Sequence, residues 1–284
     1  MSQIKLAHAK LPKYFTIWNN ENSWLKKETN NYDFIDRNSK SLLVTIGDSW
    51  TYGSDLGSMR EKYVYGNVLS EILKSDWLNL AIPAQSNFYI LHMFSEFTKI
   101  SKKLCYDKIV VVCTMTGVGR WFAGLYDLEF DYINWFKDNV KEVNDFNKLI
   151  YLLNFRVISD IKKISTENQK IILRVGTNFV DQIGLDSLST TECLSTPWYK
   201  LIGVEDNNSV YVCESAAEIL PKRIIDLLQP TMNTKFKEWF VEISNKAINR
   251  TNLLQALPDK FYNCHPTIHG HRQWAEYVYS SLKV

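Results

Sequence analysis

The run Lys108-Ile109-Val110-Val111-Val112-Cys113-Thr114 limits the fold more than any other stretch of this chain. It is short, rich in β-branched residues and without a polar face, so it reads as a strand buried on both sides of a sheet. Three more segments share this character: Ser41 to Ile46 (SLLVTI), which stops at Gly47; Trp77 to Ile82 (WLNLAI); and Lys170 to Val175 (KIILRV). Between them the apolar spacing becomes helical. Val64, Val68, Ile72 and Leu73 share one face of a helix predicted over 63–74, a second helix runs from Asn87 to Leu104, and residues 131–165 are mostly helical. A last amphipathic helix covers 267–282, with Trp274, Tyr277, Val278 and Leu282 inward. Buried strands alternating with helices pair in parallel, because parallel strands need long crossovers. The expected fold class is α/β, a three-layer α/β/α sandwich around a mostly parallel sheet.

The simplest division is an N-terminal extension over 1–40, wrapping one domain over 41–284. That domain has an insertion at about 178–235, where the periodicity weakens. A formal net charge of +2 provides no electrostatic footprint for nucleic acid or an anionic membrane surface. No stretch has the apolar length of a signal peptide or a membrane span, so a cytoplasmic protein is expected. The five cysteines are scattered, odd in number and without paired spacing, which favours reduced thiols.

Gly47-Asp48-Ser49-Trp50-Thr51-Tyr52-Gly53 falls where the first strand gives way to the first helix. In open α/β sheets ligands bind beyond the carboxyl ends of the strands, so Ser49 is placed as a nucleophile there. The free N–H groups of the following helix are suited to an oxyanion. The plainer alternative is a turn in which Gly47 takes a positive φ and Asp48 or Ser49 caps the helix. Near the other end stands Asn263-Cys264-His265-Pro266-Thr267-Ile268-His269-Gly270-His271-Arg272-Gln273-Trp274-Ala275. Pro266 suits a first helical turn, which leaves His265 just outside the helix as a general base. His271, one turn inside, reads as structural, and His269 as facing solvent or packing locally. A zinc cluster of Cys264, His265, His269 and His271 is a rival reading, but Pro266 takes His265 off the helical face and no second ligand group is evident.

These two segments resemble the first and last motifs of the SGNH/GDSL hydrolases. That resemblance implies a flavodoxin-like sandwich and acyl hydrolysis or transfer, often on carbohydrates or lipids. Ser49 is then the nucleophile, His265 its base, and the N–H groups of Ser49 and Ala84 the oxyanion donors. Asn79-Leu80-Ala81-Ile82-Pro83-Ala84-Gln85-Ser86-Asn87 resembles the family's Asn-x-Gly-x-x-Gly, with alanines for glycines. The family's Gly-x-Asn-Asp has no match after the third strand, which leaves Thr114 or Thr116 as hydroxyl donors and Arg120 as a substrate grip or neutralising charge. Gly176-Thr177-Asn178 follows the fourth strand and reads as a turn. The usual acid before the histidine is missing. Asn263 or Asp259 takes that role, or a Ser-His dyad works without it. Asp48, Trp50, Asn87 and Arg120 are the expected substrate contacts, with Trp50, Tyr52, Trp121 and Phe122 as an acyl or sugar platform.

The expected function is a serine-dependent hydrolase acting on a small-molecule or glycan acyl ester. No cofactor, metal, nucleic acid or membrane partner is expected. The alternative is a weak or inactive binding or structural protein on the same scaffold, with a virion-associated role suggested by the resemblance of the HPTxxGHxxWA block to phage members of the family.

Overall fold

Ser41–Ile46 (β2), buried along all but its first residue, occupies the middle of a five-stranded sheet. The computed structural model describes residues 33–83, 85–116, 143–167, 169–178, 192–201, 261–262 and 265–283. The sheet runs β1-β3-β2-β4-β5, where β1 is Asp33–Ile35, β3 Asp76–Asn79, β4 Lys108–Met115 and β5 Ile171–Thr177. All pairings are parallel except that of β1, which lies antiparallel on β3. The chain leaves β2 for β3 on one side and then crosses to β4 on the other. That reversal opens a crevice at the carboxyl end of β2, where open α/β sheets bind ligands.

The helices are α1 (Ser49–Tyr52), α2 (Arg60–Tyr63), α3 (Tyr65–Leu73), α4 (Asn87–Ser101), α5 (Val143–Thr166), α6 (Trp198–Leu201) and α7 (Ile268–Ser281). A 3₁₀ turn at Gly57–Met59 leads into α2, and the short strands β6 (Phe261–Tyr262) and β7 (His265–Pro266) pair antiparallel ahead of α7. Leu43, Val110 and Val112 join Tyr65, Leu69, Trp198, Trp274 and Val278 in one core, which places α3, α6 and α7 on one face of the sheet. Leu42, Val44, Val111 and Cys113 alternate with them, are fully buried and face the opposite side. There α4 and α5 pack on each other and on the strands. This is the three-layer arrangement that the strand-helix alternation predicts.

The differences from the sequence reading are local. Residues 33–35, assigned to the extension, form the edge strand of the sheet, with Phe34 opposite Leu78. The segment read as a strand over 77–82 is strand only at Asp76–Asn79. Beyond it the chain still follows β2, since Leu80 N donates to Thr45 O (2.8 Å) and Ile82 N to Gly47 O (3.2 Å). Part of the presumed insertion also belongs to the domain. Cys193 bridges Val175 in parallel beyond β5, and Trp198 stacks on Trp274 at 5.1 Å and 9°. Residues 131–142 and most of 178–235 lie outside the described residues. No helix among the described residues is long and apolar enough to cross a membrane.

Candidate active site

The turn that presents Ser49 begins with a steric requirement. A Cβ on Gly47 would lie 2.2 Å from Thr51 Oγ1 and 3.0 Å from Thr114 O, so only glycine lets the end of β2 pass this close to β4 and α1. Asp48 follows in extended conformation as the N-cap of α1, and its Oδ1 accepts from Trp50 N at 3.0 Å. At the other end Gly53 takes the left-handed conformation, φ 85°, and donates its N–H to Ser49 O at 3.0 Å. A single helical turn is thus clipped at both ends. Ser49 is its first residue, with an N–H that has no partner inside the helix.

Beneath the serine lies a buried polar framework. Asp48 is fully buried, and its Oδ2 accepts from Thr116 Oγ1 and its Oδ1 from Asn178 Nδ2, both at 2.7 Å. Asn87 grips the backbone of Thr116, accepting from its N at 2.9 Å and donating to its O at 3.2 Å. The carboxylate therefore cross-links the ends of β2, β4 and β5, and Asn87 ties the start of α4 to the same point through Thr116. The carboxylate's bonds to neutral donors are of the stronger, charge-assisted kind.

This framework corrects several expectations. Asp48, Trp50 and Asn87, read as substrate contacts, are 0%, 2% and 2% exposed and are built into the support. Trp50 meets Trp198 edge-on at 5.4 Å instead of forming a platform. Thr116 spends its single hydroxyl proton on Asp48, and Thr114 Oγ1 is buried against the Tyr65 hydroxyl at 3.2 Å, so neither is presented as an oxyanion donor. Burial and the loss of hydration push the Tyr65 hydroxyl well above the usual phenol range, keeping it protonated. Asn178, read as part of a turn, is instead fully buried and bonded to Asp48.

His265, expected as the base, lies at the opposite edge of the site. β7 packs against α1, and His265 Nδ1 lies 2.6 Å from Asp55 Oδ2, with both side chains partly exposed. A neutral ring that donates Nδ1–H to such a carboxylate has Nε2 as its acceptor, the tautomer that a general base needs. The sequence reading missed Asp55. It follows Gly53 closely in the loop after α1 and has φ 67°, a left-handed conformation that aspartate tolerates better than most residues. Ser49 Oγ is buried and makes no hydrogen bond among the described residues, so its hydroxyl is uncommitted. Hydrogen bonds between nucleophile and base commonly tighten only with substrate in place.

His271 plays the structural part that its position suggests. It is fully buried, its Nδ1 accepts from Tyr65 N at 3.2 Å, and its ring stacks on Tyr65 at 12°. Burial, reinforced by nearby His265, lowers its pKa to about 3. His269 is exposed. Ala84, Arg120, Trp121, Phe122, Asp259, Asn263 and Cys264 lie outside the described residues. Among the described residues no group of three or more His, Cys, Asp or Glu side chains is placed to hold a metal ion.

No family model and no curated protein matches the chain. Among solved structures, TesA aligns with a TM-score of 0.39 at 11% identity, over 85% of this chain and 98% of its own. The lipase Lip_vut3 from a goat rumen metagenome aligns at 0.40 and 14%, over 84% and 96%. A member of the lipolytic protein G-D-S-L family from Veillonella parvula DSM 2008 aligns at 0.36 and 12%, over 84% and 97%. Likenesses at these scores carry no argument, and the architecture stands on the strand order and packing of the chain itself.

Proposed function

We propose that this protein is a serine ester hydrolase of the SGNH/GDSL type, with Ser49 as nucleophile, His265 as base and Asp55 as the acid that orients the base. The observation that carries this reading is the 2.6 Å contact between His265 Nδ1 and Asp55 Oδ2, on a strand packed against the turn bearing Ser49. Ser49 Oγ attacks the ester carbonyl while His265 Nε2 takes its proton. The tetrahedral oxyanion is met by the N–H of Ser49 and, on the family pattern, by that of Ala84. His265 returns the proton to the leaving alcohol, and water then repeats the sequence on the acyl-serine to release the acid. Asp55 takes the place first assigned to Asn263 or Asp259. No step calls for a metal or cofactor.

Turnover of p-nitrophenyl acetate tests the mechanism. Ser49→Ala is expected to abolish it above background, and equal rates for variant and wild type reject the reading. A second reading, an inactive scaffold of the same fold, draws on the burial of Ser49, which is only 5% exposed and has no partner for its hydroxyl among the described residues. Covalent capture of Ser49 by a fluorophosphonate probe decides between the two. A labelled serine supports the enzyme and an inert one the scaffold.

A further inference from the structure

We infer that the ester cleaved at Ser49 carries an anionic group and that Arg272 selects it, an inference that rests on the hydrolase reading above. A cleft of about 630 Å³ opens beside the His265–Asp55 pair. Its walls include the apolar side chains of Leu56, Met59, Pro266 and Ile268. Met59 is 49% exposed, a large apolar group left facing water at the cleft. Asp55 and Pro266 set one part of this wall directly against the base, since Asp55 bonds His265 and Pro266 is the next residue along.

Arg272 lines the same cleft one turn beyond Ile268 on α7, roughly 6 Å further along the helix axis. It differs from the other described arginines. Arg37, Arg60, Arg156 and Arg174 each bond an acceptor within the protein. Arg272 is exposed and bonds none among the described residues. The carboxylate in the cleft, Asp55, is engaged by His265. A guanidinium without an acceptor among the described residues, at an apolar cleft, suits a carboxylate or phosphate, which it can take in bidentate fashion. Exposed His269, on the same wall, adds a further polar group. The occupant this chemistry fits is a short acyl chain ending in an anion. Its methylenes lie along Met59 and Ile268, its ester carbonyl reaches Ser49 and its charge meets Arg272.

The test compares two p-nitrophenyl esters of equal chain length, the hexanoate and the mono-ester of hexanedioate. Wild type is expected to favour the hexanedioate about tenfold or more in kcat/KM, and Arg272→Gln to lose that preference while keeping its rate on hexanoate. Calorimetric titration with octanoate and octyl phosphate, with octanol as the uncharged control, reads the cleft without any turnover. Both anions are expected to bind wild type more tightly than Arg272→Gln, and the gap is expected to narrow with salt. Equal turnover of the two esters by wild type, or equal octanoate affinity in wild type and Arg272→Gln, overturns the inference. If instead Ser49→Ala hydrolyses hexanoate as fast as wild type, the hydrolase reading fails, and the titration still judges the cleft.

Discussion

The turn under Ser49 and the strand carrying His265 meet at one site but are held by different means. Under the serine, Asp48 is sealed from water and bonded by Thr116, Asn178 and the backbone of Trp50, so α1 is fixed from below by the ends of β4 and β5. At the other edge His265 lies near the surface, oriented by Asp55, whose side chain is 32% exposed. Changes in the first region should therefore act through folding. Changes in the second should act through chemistry, at little cost to stability.

The largest expected effect breaks that comparison on its exposed side. Asp55→Asn should lower kcat by about 10³ to 10⁴, because an amide can present its N–H to the ring and favour the wrong tautomer. Its midpoint in urea should stay close to that of wild type, since partly exposed ion pairs contribute little to stability. A rate within threefold of wild type would remove Asp55 from the mechanism. Next comes Asp48→Ala, which strands buried donors on Thr116 and Asn178. A loss of about 3 kcal/mol is expected in denaturant unfolding. A variant as stable as wild type would show that the framework does not carry the load assigned to it.

His271 sharpens the same contrast through pH. Its folded-state pKa, about 3, is below the ordinary 6.5, so below pH 6.5 the unfolded chain takes up a proton that the folded ring refuses. The stability it contributes is complete above about pH 6.5 and falls by about 1.4 kcal/mol per pH unit toward pH 3. Unfolding of His271→Phe between pH 7 and pH 4 should show a shallower slope than wild type, and an unchanged slope would assign the acid sensitivity elsewhere. The smallest effect belongs to the edge strand. Asp33 holds Arg60 in a two-pronged pair at 2.6 and 2.7 Å, and Arg60 lies over the Tyr52 ring at 4.1 Å. Asp33→Asn should cost about 1 kcal/mol in thermal unfolding and leave kcat within a factor of about two. A larger drop in kcat would tie β1 to the site.

Sequence pattern revealed the layers because β2, β4 and β5 are covered by helices on both faces, and such strands need uninterrupted apolar runs. It did not reveal β1, whose DFI is too short for any period to emerge. The position of Ser49 after a strand was legible in the sequence, and so was that of His265 just ahead of the last described helix. The pairing of Asp55 with His265 was not, because Asp55 comes from the loop after α1 while the family pattern looks just before the histidine. The available cue was the closeness of Asp55 to Gly53 and Gly57, a spacing that marks a tight loop able to turn a carboxylate back over α1. Asn178 looked like a turn residue because a sequence shows the amide but not the buried carboxylate of Asp48, 130 positions earlier, that draws it inward.

The contact between Asp55 and His265 joins positions 210 residues apart. On the function proposed above, Ser49 and Asp55 emerge from a ribosome long before His265, and the three are not brought together until β7 and α7 have been made and have docked against α1 and α3. Such distant closure is slow to form. On that reading, a chain cut short before His265 would keep Ser49 and its framework residues yet lack the base, so esterase activity would require synthesis through β7.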